Sequence, residues 1–336
     1  MVCDNRMSIK YSVIVPVYNS ETTIRRCVDS LLAERYEDAE IILVNDGSKD
    51  SSGEICESFA SEYSNIIYIC KENGGVSTAR NAGLDAAIGR YVLFEDSDDY
   101  VKPGFFHTVD EVEAKFSADL IQFSYTVFNG HEEHAKLFSP LNTSSREQMI
   151  PHVVNAICRK TLNSPWGKLY RRDLIESHHI RFPVGASIAE DRVFNIKYSM
   201  YIKSYAVSEK MVCVVSTENE NSLSRGRYKD EKQQLEIAEI YLKDALQYAP
   251  ITEMEKQQYL QAVNFGTCRS IYHDAKLMHQ DQVEWKQRHI QLIKLCNEMN
   301  RKRMRYPKTL YCNLITLPVR WRLTPVIDAI AWKLTR

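Results

Sequence analysis

Four short apolar runs in the first hundred positions predict four strands of a sheet. The runs are Tyr11–Tyr18, Ile41–Val44, Ile66–Ile69 and Tyr91–Phe94. Their β-branched and aromatic residues, without polar alternation, are typical of strands buried on both faces. Because segments with helical spacing separate the runs, the pattern predicts βαβ units and a mostly parallel sheet flanked by helices. Pro16 lacks a backbone N–H, so we expect the first strand to end or open there.

Polar side chains follow three of these strands at the points where the strands end. They are Tyr18 and Asn19, the turn from Asn45 to Ser48, and the run from Glu95 to Asp99, called the acidic turn below. In a parallel sheet these carboxyl ends share one edge, where α/β proteins bind ligands. Four mutually repelling carboxylates in five residues suit a divalent cation such as Mg²⁺ or Mn²⁺. The alternative is a solvated acidic turn.

Glycine-rich phosphate-binding motifs are missing after the first strand. Neither G-x-G-x-x-G nor G-x-x-x-x-G-K-S/T occurs there, which disfavours classical dinucleotide and P-loop binding. The charge of a bound diphosphate must then be met by a cation and by basic residues. The three polar clusters together favour a nucleotide-plus-metal site.

The middle of the chain adds further candidate features. Leu120–Tyr125 predicts another strand, and we expect the polar segment 129–145 to form a loop over the site. Trp166 is either a platform on which a sugar stacks or a core residue. Glu190 and Asp191 open a predicted helix, where carboxylates often only complement the helix dipole.

The last third of the chain predicts three amphipathic helices and a basic tail. Residues 301–336 contain nine Lys or Arg and one acid, whereas the whole chain has a formal net charge of −1. Trp321 and Trp332 lie among these basic residues, so we expect the tail to contact a lipid surface. The alternative is a helix packed on the catalytic domain with a solvated basic face.

Composition and cysteine usage predict the compartment. The chain is 44% hydrophobic and 26% charged, and its nine cysteines form no C-x-x-C pair. Unpaired thiols fit a reducing cytosol. The first residues hold no apolar signal sequence, and no apolar run reaches about 18 residues. We therefore expect a cytoplasmic protein, peripheral on the inner face of the cell membrane.

The order and spacing of these motifs resemble those of the family 2 glycosyltransferases with the GT-A fold. The motifs are SVIVPVYN (12–19), IILVNDGSKD (41–50), NGGVSTARNAGL (73–84), GRYVLFEDSDD (89–99) and EDRVFN (190–195). The resemblance covers residues 9–225 and implies a Rossmann-like GT-A catalytic domain there. Residues 226–336 would then form a helical C-terminal extension with a basic amphipathic tail.

The resemblance also implies a role for individual residues. It implies nucleotide contacts by Pro16, Tyr18, Asp46, Asn73, Arg80 and Asp96. It makes Asp98 the ligand of an Mn²⁺ or Mg²⁺ cofactor and Asp191 the catalytic base. Candidates for diphosphate or acceptor contacts are Asp99, Trp166, Lys168, Glu190, Ser222, Ser224 and Arg225. For the last three, a plain linker is the alternative.

The function implied by the resemblance is an inverting, metal-dependent hexosyl transfer. The donor would be a nucleotide sugar, with UDP expected, and the acceptor a saccharide or lipid-linked saccharide of a cell-surface polysaccharide such as a capsule. The main alternative is a non-catalytic nucleotide-sugar-binding scaffold, which the presence of Asp98 and Asp191 opposes. A nucleotidyltransferase would need a glycine- and arginine-rich loop where this chain has Tyr18-Asn-Ser-Glu. We expect no nucleic-acid partner.

Overall fold

A computed structural model describes residues 9–186, 189–218, 231–280, 283–301, 318–319, 321 and 323–333. Within these residues the strands are β1 (Tyr11–Val17), β2 (Ala39–Asn45), β3 (Ile66–Cys70), β4 (Tyr91–Phe94), β5 (Tyr100–Val101), β6 (Leu120–Phe128), β7 (Glu133–Lys136), β8 (Leu141–Thr143), β9 (Lys168–Arg171) and β10 (Tyr205–Ser216). The helices are α1 (Ile24–Leu32), α2 (Ser52–Glu62), α3 (Val76–Ala86), α4 (Phe105–Phe116), α5 (Arg146–Cys158), α6 (Arg172–Ser177), α7 (Glu190–Ser199), α8 (Glu231–Tyr248), α9 (Glu253–Gln280), α10 (Trp285–Arg301) and α11 (Thr324–Lys333).

One sheet organises the first part of the chain, in the order β3-β2-β1-β4-β9-β6-β10-β5. Strands β1 to β4 pair with one another only in parallel, with Tyr11 opposite both Ala39 and Tyr91. The four strands predicted from the apolar runs, and their parallel pairing, are therefore confirmed. Later strands add antiparallel pairs, since β9 lies antiparallel between β4 and β6.

Pro16 opens strand β1 on one side without ending it. Pairing with β2 continues to Val17, whereas pairing with β4 stops at Ile14. The carbonyl of Ile14 accepts the last hydrogen bond on the β4 side, from the Glu95 N–H at 3.1 Å. The backbone N–H and C=O groups of alternate residues in a strand point toward the same neighbouring strand. The backbone of Pro16 therefore points toward β4, like that of Ile14, but beyond the paired region, where its missing N–H breaks no hydrogen bond. The expectation of an opening is correct, and that of an ending is wrong.

The segment 129–145 contains two short strands, so the predicted loop is wrong there. Strand β7 pairs antiparallel with β6, placing Glu133 opposite Phe128, and β8 pairs antiparallel with β10. All four residues of β7 are exposed. Because no side of β7 is buried, its sequence carries no alternation that could have predicted a strand.

Helix α3 approaches the sheet closely through a glycine. A Cβ built on Gly83 would lie 2.4 Å from Cγ2 of Ile14 in β1. Its neighbours Ala79 and Leu84 are buried as well. The small-residue helix predicted from the sequence therefore lies directly on the first strand, and this contact fixes the height of the α3 side chains above the sheet.

The chain divides into two compact units. The first contains residues 1–149 and 162–250, and the second contains residues 150–161 and 251–336. In the second unit α9, α10 and α11 surround a small core that includes Leu292, Cys296 and Ile327. The three predicted helices correspond to α8, α9 and α10. The predicted division of function at residue 225 stays a prediction, and α8 lies in the first compact unit.

None of the helices in the described residues is both long enough and apolar enough to cross a bilayer.

We expect Gly83→Ala to destabilise the first unit. The added methyl must displace either Ile14 or the helix, which costs about 1–3 kcal/mol, whereas the gain in helix propensity is only about 1 kcal/mol. Urea unfolding of wild type and variant measures the difference. Asp85→Ala, at an exposed position of the same helix, is the control and should change the free energy of unfolding by less than about 1 kcal/mol. A Gly83→Ala variant as stable as the wild type would contradict the close approach.

Candidate active site

The turns after β1 and β2 are joined to each other at the carboxyl edge of the sheet. The Asn19 N–H donates to Oγ of Ser48 at 3.0 Å, and the Lys49 N–H donates to Oδ1 of Asn19 at 2.8 Å. Asn19 adopts a left-handed backbone conformation with φ 49°, which asparagine tolerates better than most residues. Tyr18 projects from this joined edge and is 49% exposed, while Pro16 is buried in β1.

Asp46 is buried and already hydrogen bonded on both carboxylate oxygens. Its Oδ1 accepts from the Lys71 ammonium and from the Gly74 N–H at 3.1 Å, and its Oδ2 accepts from the Gly75 N–H at 2.7 Å. Only 3% of Asp46 is exposed. Asp46, which is predicted to contact the nucleobase, therefore also joins the turn after β2 to the turn that opens α3.

Gly47 allows these two turns to meet. It has φ +72°, and a Cβ there would lie 2.8 Å from the backbone nitrogen of Asn73. Any other residue would be strained at that φ and would push the Asn73 turn away. Asn73 itself is exposed. The predicted nucleotide residues Asp46 and Asn73 are thus brought to adjacent backbone positions.

The acidic turn separates its carboxylates into an inner and an outer pair. Glu95 and Asp99 are each 3% exposed, whereas Asp96 and Asp98 are partly exposed. Asp99 Oδ1 accepts from the Ser216 N–H at 2.7 Å. Burial, reinforced by the neighbouring carboxylates, raises the pKa of both inner acids well above the ordinary range. Asp99 therefore ties the turn to the end of β10, and its diphosphate contact stays a prediction.

Arg80 of α3 joins the acidic turn to the start of α7. Its Nη2 donates to Oδ1 of Asp96 at 2.9 Å, and its Nη1 donates to Oδ1 of Asp191. Nη1 also lies 3.8 Å from Oε1 of Glu190. The guanidinium is almost fully buried and lies over the ring of Phe182, 5.2 Å from its centroid. Acids from two distant parts of the chain thus share one buried positive charge.

Asp191 has the properties of a base held in a low-dielectric site. Burial, reinforced by Glu190 and Asp96 and opposed by Arg80, raises the pKa of Asp191 to about 8. Its side chain is still 26% exposed, against 12% for Glu190. Both acids stand in the first turn of α7, directly after Ala189, which has a left-handed backbone with φ 64°. A raised pKa suits a group that must take up a proton near neutral pH.

An aromatic and polar platform supports α7 from below. Phe182 stacks on Phe194 with ring centroids 4.1 Å apart, and Phe94 packs edge-on against both. Asn195 donates to the Asp191 carbonyl at 2.9 Å and accepts from the Tyr170 hydroxyl at 2.6 Å. These contacts fix the first turn of α7, and with it the direction of the two carboxylates.

Lys168 and Trp166 lie beside this platform. The Lys168 ammonium donates to the Ser164 carbonyl at 2.6 Å, and burial lowers its pKa to about 7. Trp166 is half-buried and packs edge-on against Tyr125, with ring centroids 4.7 Å apart. Trp166 therefore belongs in part to the core, and Lys168 is fastened to the backbone of the preceding loop.

Three predicted residues lie outside the described part of the chain: Ser222, Ser224 and Arg225. Conversely, the sequence analysis missed Lys71 and Asn195. Lys71 directly follows β3, so the rule that singled out the ends of the other three strands also applies to it. Asn195 is the last residue of the EDRVFN motif, but no role was predicted for it, because an asparagine within a helix reads as an ordinary polar residue.

The outer carboxylates of the acidic turn are suited to a metal that is shared with a ligand. Among the described residues, no group of three or more His, Cys, Asp or Glu has the arrangement of a complete metal cage. Asp98 and Asp96 offer oxygen donors, and their mutual repulsion with Glu95 and Asp99 favours a nearby cation. Mg²⁺ is commonly held by one or two carboxylates together with substrate phosphates. The donor set fits that arrangement.

The protein thus has an α/β fold, and an acidic turn and the acid pair Glu190–Asp191 lie at the carboxyl edge of its sheet. Arg80 links the turn to the acid pair. Residues 12–178 match the family described as Glycosyl transferase family 2 and belong to it. The family resemblance and the predicted α/β fold are thereby confirmed.

Similar proteins agree with this assignment. Glycosyltransferase GlyA of Streptococcus pneumoniae is 38% identical over 211 residues, covering 60% of this chain and 29% of GlyA. The uncharacterised glycosyltransferase EpsJ of Bacillus subtilis is 34% identical over 222 residues, covering 65% of this chain and 64% of EpsJ. The chain thus spans less than two thirds of either relative. The crystal structure of S. aureus TarS 1–349 with UDP-GlcNAc superposes with a TM-score of 0.68 at 22% identity, over 97% of this chain and 91% of TarS 1–349.

We expect Arg80→Met to destabilise the protein by about 3–5 kcal/mol, because the desolvated Asp191 carboxylate loses its counter-charge. Without Arg80 the folded-state pKa of Asp191 rises further above the unfolded value. A raised carboxyl pKa contributes stability at low pH that is lost as the pH rises, so the defect is smaller at about pH 5 than at about pH 8.

Urea unfolding at the two pH values checks this prediction. The control is Arg90→Met, which removes an exposed arginine lying over the Tyr91 ring, and its effect should be small and independent of pH. An equal loss for Arg80→Met at both pH values would show that its pairing with the acids does not govern stability.

Proposed function

We propose that this protein is an inverting, metal-dependent glycosyltransferase that uses a nucleotide sugar. The observation that carries the proposal is the Arg80 bridge between Asp96 and Asp191. The two acids lie 95 residues apart in sequence, yet both accept hydrogen bonds from the same guanidinium group. A donor bound at the acidic turn would therefore have its reacting sugar beside a buried carboxylate.

In the proposed reaction Asp191 acts as the general base. An acceptor hydroxyl attacks the anomeric carbon from the face opposite the diphosphate, and its proton passes to the Asp191 carboxylate. The new carbon–oxygen bond forms as the bond to the phosphate oxygen breaks, and the nucleoside diphosphate leaves with the bonding electrons. The raised pKa of Asp191 supports this role, since it brings the carboxylate closer in basicity to the proton it receives.

Asp98 holds the cofactor in this proposal, with Asp96 beside it. A bound Mn²⁺ or Mg²⁺ supplies positive charge that offsets the charge growing on the diphosphate. The hard carboxylate oxygens of the turn support a hard divalent cation. Since the inner acids are buried, most of the cation's ligands would come from the nucleotide and water. We therefore infer that the metal binds appreciably only together with the donor.

UDP is the proposed nucleotide, and a saccharide is the proposed acceptor. Support for UDP comes from the structure of TarS in complex with UDP-GlcNAc, whose fold this chain shares. GlyA and EpsJ are both described as glycosyltransferases, which supports sugar transfer itself. We propose that the product is part of a cell-surface polysaccharide.

Calorimetry of UDP, GDP and CDP with and without Mn²⁺ tests this function. We expect wild type to bind UDP in a Mn²⁺-dependent manner and Asp98→Ala to lose that dependence. Asp191→Asn is the matched variant: it should bind UDP normally but hydrolyse UDP-sugar about 10²–10⁴-fold more slowly. If folded wild type binds no nucleotide, or if Asp191→Asn loses binding and turnover together, the proposed function is wrong.

We also propose that α11 contacts an anionic membrane surface. Trp321 is 68% exposed, Leu323 is 41% exposed and Val326 is 42% exposed, which leaves three large apolar side chains in solvent within six residues. Residues 301–336 carry nine basic side chains and one acidic one. Apolar side chains flanked by Lys and Arg are typical of segments that lie in a lipid interface.

Sedimentation with vesicles tests the membrane contact. We expect wild type to bind vesicles that contain an anionic lipid more strongly than neutral ones, by about 1 kcal/mol for each basic residue near the surface. Trp321→Glu with Val326→Glu should abolish the binding. Ile88→Glu alters an exposed apolar residue of the first unit, 62% exposed, and should leave binding unchanged. Equal sedimentation of all three proteins would rule out α11 as the contact.

A further inference from the structure

We propose that Arg26 is the positioning residue of the metal-binding turn. The inference rests on the proposed function, because it assigns the cation to Asp98. Its basis is one juxtaposition: the Arg26 guanidinium lies between the backbone carbonyl of Asp98 and the carboxylate of Glu218. Nothing in the sequence motifs pointed to Arg26, which reads as one of two consecutive arginines at the start of an amphipathic helix.

Helix α1 and Ser20, one turn before it, contact the acidic turn at three points and the adjoining strand β5 at a fourth. Ser20 and Ser97 share a hydroxyl–hydroxyl hydrogen bond of 2.8 Å. The Cys27 thiol donates to the Asp96 carbonyl at 3.6 Å, and Ser30 Oγ accepts from the Val101 N–H at 3.1 Å. The remaining contact is Arg26 Nη2 to the Asp98 carbonyl at 2.8 Å.

Arg26 differs from the other three contacts because it carries charge. It donates a charge-assisted hydrogen bond to Asp98 itself, and such bonds are roughly twice as strong as neutral ones. It also places a positive charge at the backbone of a turn that contains four carboxylates, which opposes their mutual repulsion. The guanidinium is held over the Tyr100 ring, 4.8 Å from the centroid, so its orientation is fixed from one side.

Glu218 fixes the guanidinium from the other side. Its Oε2 lies 3.1 Å from Arg26 Nη1 and also accepts from the Ser216 hydroxyl at 3.2 Å. Both side chains of the Arg26–Glu218 pair are about two-fifths exposed, at 38% and 42%, so the pair contributes only about 0–1 kcal/mol to stability. Its effect is geometric: together with the Asp99–Ser216 bond, it attaches the turn to the end of β10 at a second point.

The consequence concerns the metal rather than the fold. A carbonyl held by a fixed donor sets the backbone of Asp98, and the backbone sets the direction in which its carboxylate points. Groups that orient a metal ligand in this way typically change metal affinity by about 10–100-fold when they are removed. Arg26 therefore acts on the metal site through the backbone of Asp98.

The experiment measures free Mn²⁺ by electron paramagnetic resonance in the presence of saturating UDP. We expect Arg26→Met to weaken Mn²⁺ binding by about 10–100-fold, while UDP affinity without metal and the urea midpoint stay close to wild type. Arg25→Met is the matched control: it removes the neighbouring exposed arginine, which lies over the Phe59 ring, and should leave all three measurements unchanged. Glu218→Gln keeps the Asp98 contact and should weaken Mn²⁺ binding less than Arg26→Met does.

Several outcomes would overturn the inference. A folded Arg26→Met variant with wild-type Mn²⁺ affinity would do so, and so would an equal loss of metal-free UDP binding, which indicates general disruption. If Arg26→Met does not fold, Arg26→Lys keeps the charge with a single ammonium in place of the fork, and wild-type Mn²⁺ affinity in that variant would overturn it too. Wild type that binds UDP but no Mn²⁺ would overturn the metal proposal and this inference with it.

Discussion

The buried charge of Arg80 is the constraint on which the site depends. A guanidinium that is 3% exposed is tolerable only if acids surround it, and these acids come from the turn after β4 and from the start of α7. The close contact of Gly83 with Ile14 sets the height of α3, so the position of Arg80 is fixed from the sheet upward. Asp96 and Asp191 are then held in position by the charge of Arg80, because moving either acid away would leave buried charge without its partner.

The sequence predicted the part of the fold that depends on apolar pattern. Strands β1 to β4 are continuous apolar runs because both of their faces are covered, and their parallel pairing brings the following polar residues to one edge. Strand β7 escaped prediction because its four residues are all exposed. The strand conformation of β7 comes from its backbone hydrogen bonds with β6, and these leave no pattern of apolar side chains in the sequence.

Within the site, neighbouring residues of the same type have different surroundings. Asp98 and Asp99 look equivalent in sequence, yet Asp99 is 3% exposed and accepts from the Ser216 N–H. Only the closed backbone of the acidic turn decides which carboxylate faces inward. Lys71 and Arg26 were missed for a related reason. Basic residues beside strands and on helices are usually solvated, and their pairing with Asp46 and with the Asp98 carbonyl exists only once distant segments have met.

The polar groups at the carboxyl edge of the sheet hold one another in place. Asp46 is engaged on both oxygens by Lys71 and the α3 turn, and Asp191 is paired with Arg80 above an aromatic platform. Burying these charges costs desolvation free energy, and pairing and hydrogen bonding offset only part of that cost. For Asp191 the desolvation that is not offset raises the pKa of the carboxyl group. The same desolvation makes its carboxylate a stronger base. The interactions that hold this edge together are therefore also those that prepare it for proton transfer.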